Sequence, residues 1–473
     1  MPFDENIIAS IVEQVLEEIK KDEVISGITK AQYSETHDNF GVFSSIEEAM
    51  EIVSNAQKEF ASMPLTKRNE IIEAIRLASI ENANYLAKMA YEVTGYGRIE
   101  DKTLKNTNAA KYTPGIEDLQ KEFLSGDSGS VIIEYGPMGV IASIMPSTHP
   151  TAFVINHAIA MLAGGNSIFI CPHPKAQTAT LEAMKILNKA IISAGGPKYL
   201  MVAVDKADME TANKIYTHPK IKMIAAAGGE GVITAALKSG KKAITGGPGN
   251  PPVVVDETAD IYKAAKDIID GESYDNNVLC IAEKEVFVVD TVADQLISEM
   301  QKNNAYLIEG HDIEKLTDIA MNNGKPNSAL IGKNPSVILR EIGIKVGDDI
   351  RTVIFETSHD HPMVMIEQLM PVLPIVRVKD FNEALKYAAI AEHGDKHTAI
   401  LHPKDINRIT KYARTLQVTA LIVNAPSYAC MDPQSKSLVY AHTITGPTGE
   451  GFCTPRHFTR QERIVLGNVF HFV

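Results

Sequence analysis

The alternation of apolar and polar positions divides this chain into an isolated N-terminal stripe, a helical stretch, and a long region where short apolar runs alternate with helices. In the first twenty residues Ile7, Ile8, Ile11, Val12, Val15, Leu16 and Ile19 recur at helical spacing, with Glu13, Gln14, Glu17 and Glu18 between them. This is the pattern of an amphipathic helix, with Asp4 placed to cap it. Residues 21–39 are polar and poorly periodic, which predicts a linker. From Ser44 to Tyr91 the pattern is helical again. Ile46, Met50, Val53, Ala56 and Phe60 predict one helix and Ile71, Ile72, Ile75, Leu77 and Leu86 a second, broken at Pro64.

From about Val131 the period changes. Residues 140–145 read as a buried strand, Pro146-Ser147-Thr148-His149-Pro150 as a turn, and Ile155, Ala158, Ile159 and Leu162 as a helix that Gly164 and Gly165 end. A second strand at 167–170, a second helix at 176–194, a third strand at 201–204 and a short helix follow. A fourth strand at 223–226 then runs into Ala227-Gly228-Gly229-Glu230-Gly231 and a helix from Val232. This βαβα order predicts an α/β fold. A strand, a glycine loop and a helix form a phosphate site because glycines let the backbone approach and the helix N-terminus supplies free N–H groups. Tight turns use the same glycines more often, and no G-x-G-x-x-G with a later acidic residue is present.

Composition narrows the class. At 473 residues, 45% hydrophobic and 22% charged, the chain has the make-up of a globular protein of two or three domains. A formal charge of -13 argues against nucleic acid as a partner, so an anionic cofactor must be held by local donors. Cys171, Cys280, Cys430 and Cys453 form no C-x-x-C pair, which predicts neither a disulfide framework nor a metal site and fits a reducing cytoplasm. No apolar run reaches the roughly 18 to 20 residues that span a bilayer, and the N-terminus lacks a basic region followed by an apolar core, so no membrane association is expected.

The chemistry centres on Cys280. A free cysteine is usually a small core residue, but this one follows Asp275-Asn276-Asn277 and precedes the strand-like run Glu285-Val286-Phe287-Val288-Val289. That setting places a sulfur at a loop end. Other segments point the same way: MPSTHPT at 145–151, CPHPKA at 171–176, AAAGGEG at 225–231, GPGNPPVVVDETAD at 247–260, EQLMPVLPIVRV at 367–378 and TGPTGEGF at 445–452. Together with the cysteine segment they make the chain similar to the CoA-acylating aldehyde dehydrogenases of the ethanolamine and propanediol microcompartment type.

The resemblance implies an aldehyde dehydrogenase-like fold. A Rossmann-like cofactor domain would comprise residues 40–120 and 137–246, an α/β catalytic domain 247–440, and a β oligomerisation flap 121–136 and 441–473. It implies Cys280 as the thioester-forming nucleophile, with Thr148 and His149 as the further catalytic residues, donors to the oxyanion, His149 being also a candidate base. Pro146, Pro172, His173, Gly228, Gly229, Gly231, Glu367 and Leu369 would contact the cofactor. NAD and coenzyme A are the expected cofactors, and a short aldehyde, propanal or acetaldehyde, the expected substrate. The helix at 1–20 would dock on a microcompartment shell protein, and the subunit would form a homodimer or dimer of dimers. Hydrolytic relatives carry a water-activating glutamate in the stretch that here runs from Lys241 to Val255 and contains no acidic residue. An acyl-enzyme facing no such base waits for a thiol. A non-acylating dehydrogenase, an acyl-phosphate reductase relative, or a shell-binding protein with a vestigial core are the alternatives. No neighbour of Cys280 in sequence is cationic before Lys284, so activation of its thiol must come from the fold.

Overall fold

Short, fully buried apolar strands build two parallel sheets, and the loops at their facing ends carry the chemistry. The computed structural model describes residues 39–206, 208–431, 439–446 and 448–470. The helix expected at 1–20, and the linker up to residue 38, lie outside the described residues.

The first sheet has six strands in the order Val42–Phe43, Met201–Val204, Ser167–Cys171, Val140–Ile144, Ile221–Ala227, Lys242–Gly246. All its pairings are parallel. Every residue of Val140–Ile144 and Ser167–Cys171 is buried, as a parallel sheet covered on both faces requires. The helix between them, Pro150–Ala163, is buried along its whole length. The chain moves outward from Val140–Ile144 through two strands and then returns to its other side with Ile221–Ala227. The crevice beyond the C-terminal ends of these two strands is therefore a topological switch point, where open α/β sheets bind ligands.

The second sheet has seven parallel strands in the order Ala305–Leu307, Thr352–Glu356, Val372–Val378, Glu285–Val289, Pro252–Val255, Thr398–His402, Ala420–Val423. A third, antiparallel sheet joins Glu122–Gly126, Gly129–Pro137 and Thr459–Gly467, with Arg463 opposite Ile133. Phe123, Leu124, Ile464 and Val465 are exposed on it.

Several elements differ from the pattern reading. The stretch from Ser44 to Tyr91 holds three helices, Ile46–Ala61, Leu65–Glu81 and Ala83–Thr94. The second break falls at Asn82, whose amide Nδ2 donates back to Ala78 O at 2.8 Å. Leu77, counted with the buried stripe, is 62% exposed. The helix after the glycine loop begins at Glu230, so Gly231 lies inside its first turn and Gly229 caps it. Within the segment 441–473 implied as a flap, the last strand runs Thr459–Gly467 and ends where Asn468 turns to a positive φ of 57°.

Candidate active site

Every residue singled out above for chemistry or cofactor contact lines one cavity of about 510 Å³: Cys280, Thr148, His149, Pro146, Pro172, His173, Gly228, Gly229, Gly231, Glu367 and Leu369. Its two walls come from opposite ends of the two sheets. Met145 to His149, Pro172 to Pro174 and Ala227 to Gly231 follow the C-terminal ends of first-sheet strands. Gly247 and Pro248, Cys280, and Glu367 with Leu369 precede the second-sheet strands that start at Pro252, Glu285 and Val372.

The first wall is open. A Cβ added at Gly229 or Gly231 would meet nothing within 4 Å, so packing does not demand glycine there. What these glycines leave is free backbone and space at the N-terminus of helix Glu230–Lys238, suited to an anionic group.

The second wall is tightly built. Asp275, Asn276 and Asn277 all adopt left-handed φ values, 49°, 52° and 64°, and all are buried. Asn and Asp tolerate this region better than other side-chain-bearing residues, and here each is fixed by hydrogen bonds. Asp275 Oδ2 accepts from Lys102 Nζ at 3.0 Å and Lys105 Nζ at 2.5 Å, and Oδ1 accepts from Arg98 N at 2.6 Å. Asn276 Nδ2 donates to Gly332 O at 3.0 Å and Asn334 Oδ1 at 2.8 Å. Asn277 Nδ2 donates to Glu272 O at 3.0 Å and Glu283 O at 2.9 Å. Lys102 Nζ also donates to Thr148 O at 3.2 Å, tying the loop 275–280 to the turn opposite it.

Cys280 is half-buried. Burial, and then the Glu367 carboxylate, push its thiol up to about 12, while Lys284 and Lys105 pull it down. At rest it holds its proton. Burial raises Glu367 to about 7, against Lys284 and the Gly249 N–H, and its Oε1 has no partner among the described residues. Leu369 sits at φ 56° two residues on. His149, in the position before helix Pro150–Ala163, is held neutral by burial, by Lys105, by His442 and by Lys102. Its Nε2 lies 3.3 Å from Thr148 Oγ1, and its Nδ1 has no protein partner.

A family model described as aldehyde dehydrogenase family matches residues 20–435. The chain belongs to the aldehyde dehydrogenase family. It is 42% identical over 431 residues to a propanal dehydrogenase (CoA-propanoylating) of Salmonella typhimurium, which covers 91% of this chain and 93% of that protein. A propionaldehyde dehydrogenase of Rhodopseudomonas palustris, solved with bound CoA and an acylated cysteine, superposes with a TM-score of 0.89 at 39% identity, over 91% of this chain and 100% of that one. A propionaldehyde dehydrogenase from a fucose utilisation bacterial microcompartment of Clostridium phytofermentans matches with a TM-score of 0.89 at 42% identity, over 91% and 99%.

This aldehyde dehydrogenase site contains groups that the sequence did not single out. Lys102 and Lys105 sit three residues apart on the largely polar helix Ile99–Tyr112, and both are buried. His442 lines the cavity, and burial, then Lys105, lower it to about 3. His397 is buried with Nδ1 2.8 Å from Thr398 Oγ1 and Nε2 unpartnered, and burial lowers it to about 4. Its ring packs close to Gly249, which in turn backs on the Cys280 carbonyl. The segment 241–255 indeed offers no carboxylate, but Glu367 brings one to the cavity from a distant segment.

Proposed function

We propose that this chain oxidises a short-chain aldehyde, propanal or acetaldehyde, to its acyl-CoA with NAD as electron acceptor, through a thioester on Cys280. The observation that carries the reading is the single cavity in which a loop-held cysteine faces the switch point of a dinucleotide-type sheet. The residues fit an anionic dinucleotide. The free N-terminus at Gly229, the open space at Gly231, and the unpartnered Oε1 of Glu367 would take its phosphates and ribose, with Pro146, Pro172, His173, Gly228 and Leu369 shaping the walls. When bound, NAD supplies the hydride acceptor.

The chain's own residues do the rest. The Cys280 thiol gives its proton to the neutral His149 imidazole as its sulfur bonds to the aldehyde carbon; the carbonyl π pair moves onto oxygen, which the Cys280 N–H and donors from the Ser147-Thr148-His149 turn hold. Loss of hydride leaves an acyl-Cys280 thioester. The CoA sulfur then bonds to the acyl carbon and the Cys280 thiolate leaves, so the nucleophile is regenerated. Neutral His149 and His397 offer unpartnered nitrogens able to take the CoA thiol proton.

Mixing the protein with NAD and propanal, with and without CoA, tests this. Sustained NADH formation should require CoA and yield propanoyl-CoA; equally fast NADH formation without CoA, ending in free acid, would assign Glu367 the water-activating role instead. The same reading places the chain in a bacterial microcompartment, with residues 1–20 docking on a shell protein and the three-stranded sheet joining subunits into a homodimer or dimer of dimers. The apolar stripe of residues 1–20 and the exposed apolar residues of that sheet support it. Deleting residues 1–21 should remove encapsulation and leave activity in solution intact; a shell-binding protein with a vestigial core would show no activity in either form.

A further inference from the structure

Lys284 carries an amine into the interior with no carboxylate bonded to it among the described residues; burial lowers its proton affinity, and Glu367 with Cys280 opposes that. Lys284 is 1% exposed, and its ammonium donates to Asn277 O at 3.1 Å, Asn277 Oδ1 at 2.5 Å and Leu279 O at 3.1 Å. A buried ammonium is costly unless paired, and neutral oxygens repay only part of that cost. The sequence Glu283-Lys284-Glu285 looks self-neutralising, but its side chains diverge. Glu283 binds Ser427 through N and Oγ, and Glu285 enters the strand with both oxygens unpartnered. Lys284 instead reaches back over the loop that ends in Cys280.

Below neutral pH the groups around it leave its charge largely uncancelled, and two carboxyls offset it only as they ionise near pH 7. Glu272, at the end of helix Ile261–Glu272, is held protonated by burial; Glu283 and Glu367 are raised to about 7 by burial; His397 is neutral. Toward Cys280 itself, Lys105 faces it from helix Ile99–Tyr112 and Glu367 from the segment before Val372. The Cys430 thiol approaches from the turn Ser427–Met431 and stays protonated. Lys284 is the cation of the nucleophile loop itself.

We infer that Lys284 is the positioning residue that makes Cys280 reactive: its three hydrogen bonds close the loop 277–280, and its charge holds the Cys280 thiolate both as it attacks and as it leaves the thioester. The inference rests on Cys280 being the acyl carrier. If a C280A variant still turns over aldehyde, that reading fails, whatever Lys284 does.

The readout is the pH dependence of Cys280 alkylation by iodoacetamide, followed by peptide mass spectrometry so that the other three cysteines do not interfere. Loss of a stabilising cation raises a thiol's pKa, so K284M should slow alkylation of Cys280 about tenfold or more at pH 7, with K284R within about threefold of wild type. N277D keeps a partner for the ammonium and cancels its charge, while losing the Nδ2 bonds to Glu272 O and Glu283 O, and should slow alkylation in the same direction. A folded K284M whose alkylation curve overlays wild type overturns the inference. If K284M does not fold, an N277D curve overlaying wild type overturns it equally.

Discussion

The two walls of the cavity are made on opposite principles, and their glycines show it. On the cofactor wall, a methyl group at Gly229 or Gly231 would stand in empty space. On the nucleophile wall Gly247 is equally open, but behind it a Cβ at Gly97 would lie 1.9 Å from Asp275 Oδ1, one at Gly271 2.2 Å from Glu283 Oε1, and one at Gly249 2.7 Å from the Cys280 carbonyl oxygen. The first wall keeps room for ligands that must enter and leave; the second allows a single sulfur one position. An enzyme that passes an acyl group between a fixed residue and an arriving thiol needs both.

The largest effect separating them is loss of the sulfur itself. C280A should lower aldehyde oxidation by about 10⁴-fold or more, the scale for removing a covalent nucleophile, with NAD binding preserved. Steady-state rates and a cofactor titration on the same preparation check this. Substantial turnover would remove the thioester from the mechanism.

Next comes the packing of the second wall. G97A adds a side chain at φ 74° directly against Asp275, whose Oδ2 is held by Lys102 and Lys105. Left-handed strain and overpacking together should cost about 2 to 4 kcal/mol, seen as a lower melting temperature with loss of activity. G231A, by contrast, replaces a helical glycine at an open position. It should stabilise the fold by about 0.5 to 1 kcal/mol while raising the KM for NAD several-fold, because the new methyl occupies ligand space. If both variants lose stability alike, the contrast between the walls is wrong.

The same contrast explains what could be read from the sequence. The first wall was legible because its signals are local: continuous apolar runs such as Ser167–Cys171, then turns rich in Gly and Pro, then helices. The cysteine loop was legible through its adjacent amides, Asn276 and Asn277, whose left-handed geometry now explains why short polar side chains stand there. The support behind it was not. Lys105 bonds to Asp275 across 170 residues of sequence, and on the polar run Asp101-Lys102-Thr103-Leu104-Lys105 nothing marks two lysines as buried. Asn82 hid a helix break for the opposite reason, since no glycine or proline punctuates it. Glu367 was located by its segment alone; only the fold shows that its charge reaches Cys280.

That proximity gives the smallest and sharpest prediction. Glu367 is raised to about 7, so near neutral pH it passes from acid to carboxylate, and the carboxylate pushes the Cys280 thiol up. Below pH 7 a glutamine at this position changes little, because Glu367 is already largely protonated. Above it, E367Q removes a negative charge that opposes thiolate formation. Alkylation of Cys280 in the cofactor-free enzyme should therefore be unchanged at pH 6 and roughly two- to fivefold faster at pH 8, a fraction of the tenfold that one pKa unit represents. Slower alkylation at pH 8 would mean that Glu367 acts on the thiol as a proton acceptor rather than as a charge. It would then serve the cysteine with which it shares the second wall, rather than a ligand in the cavity.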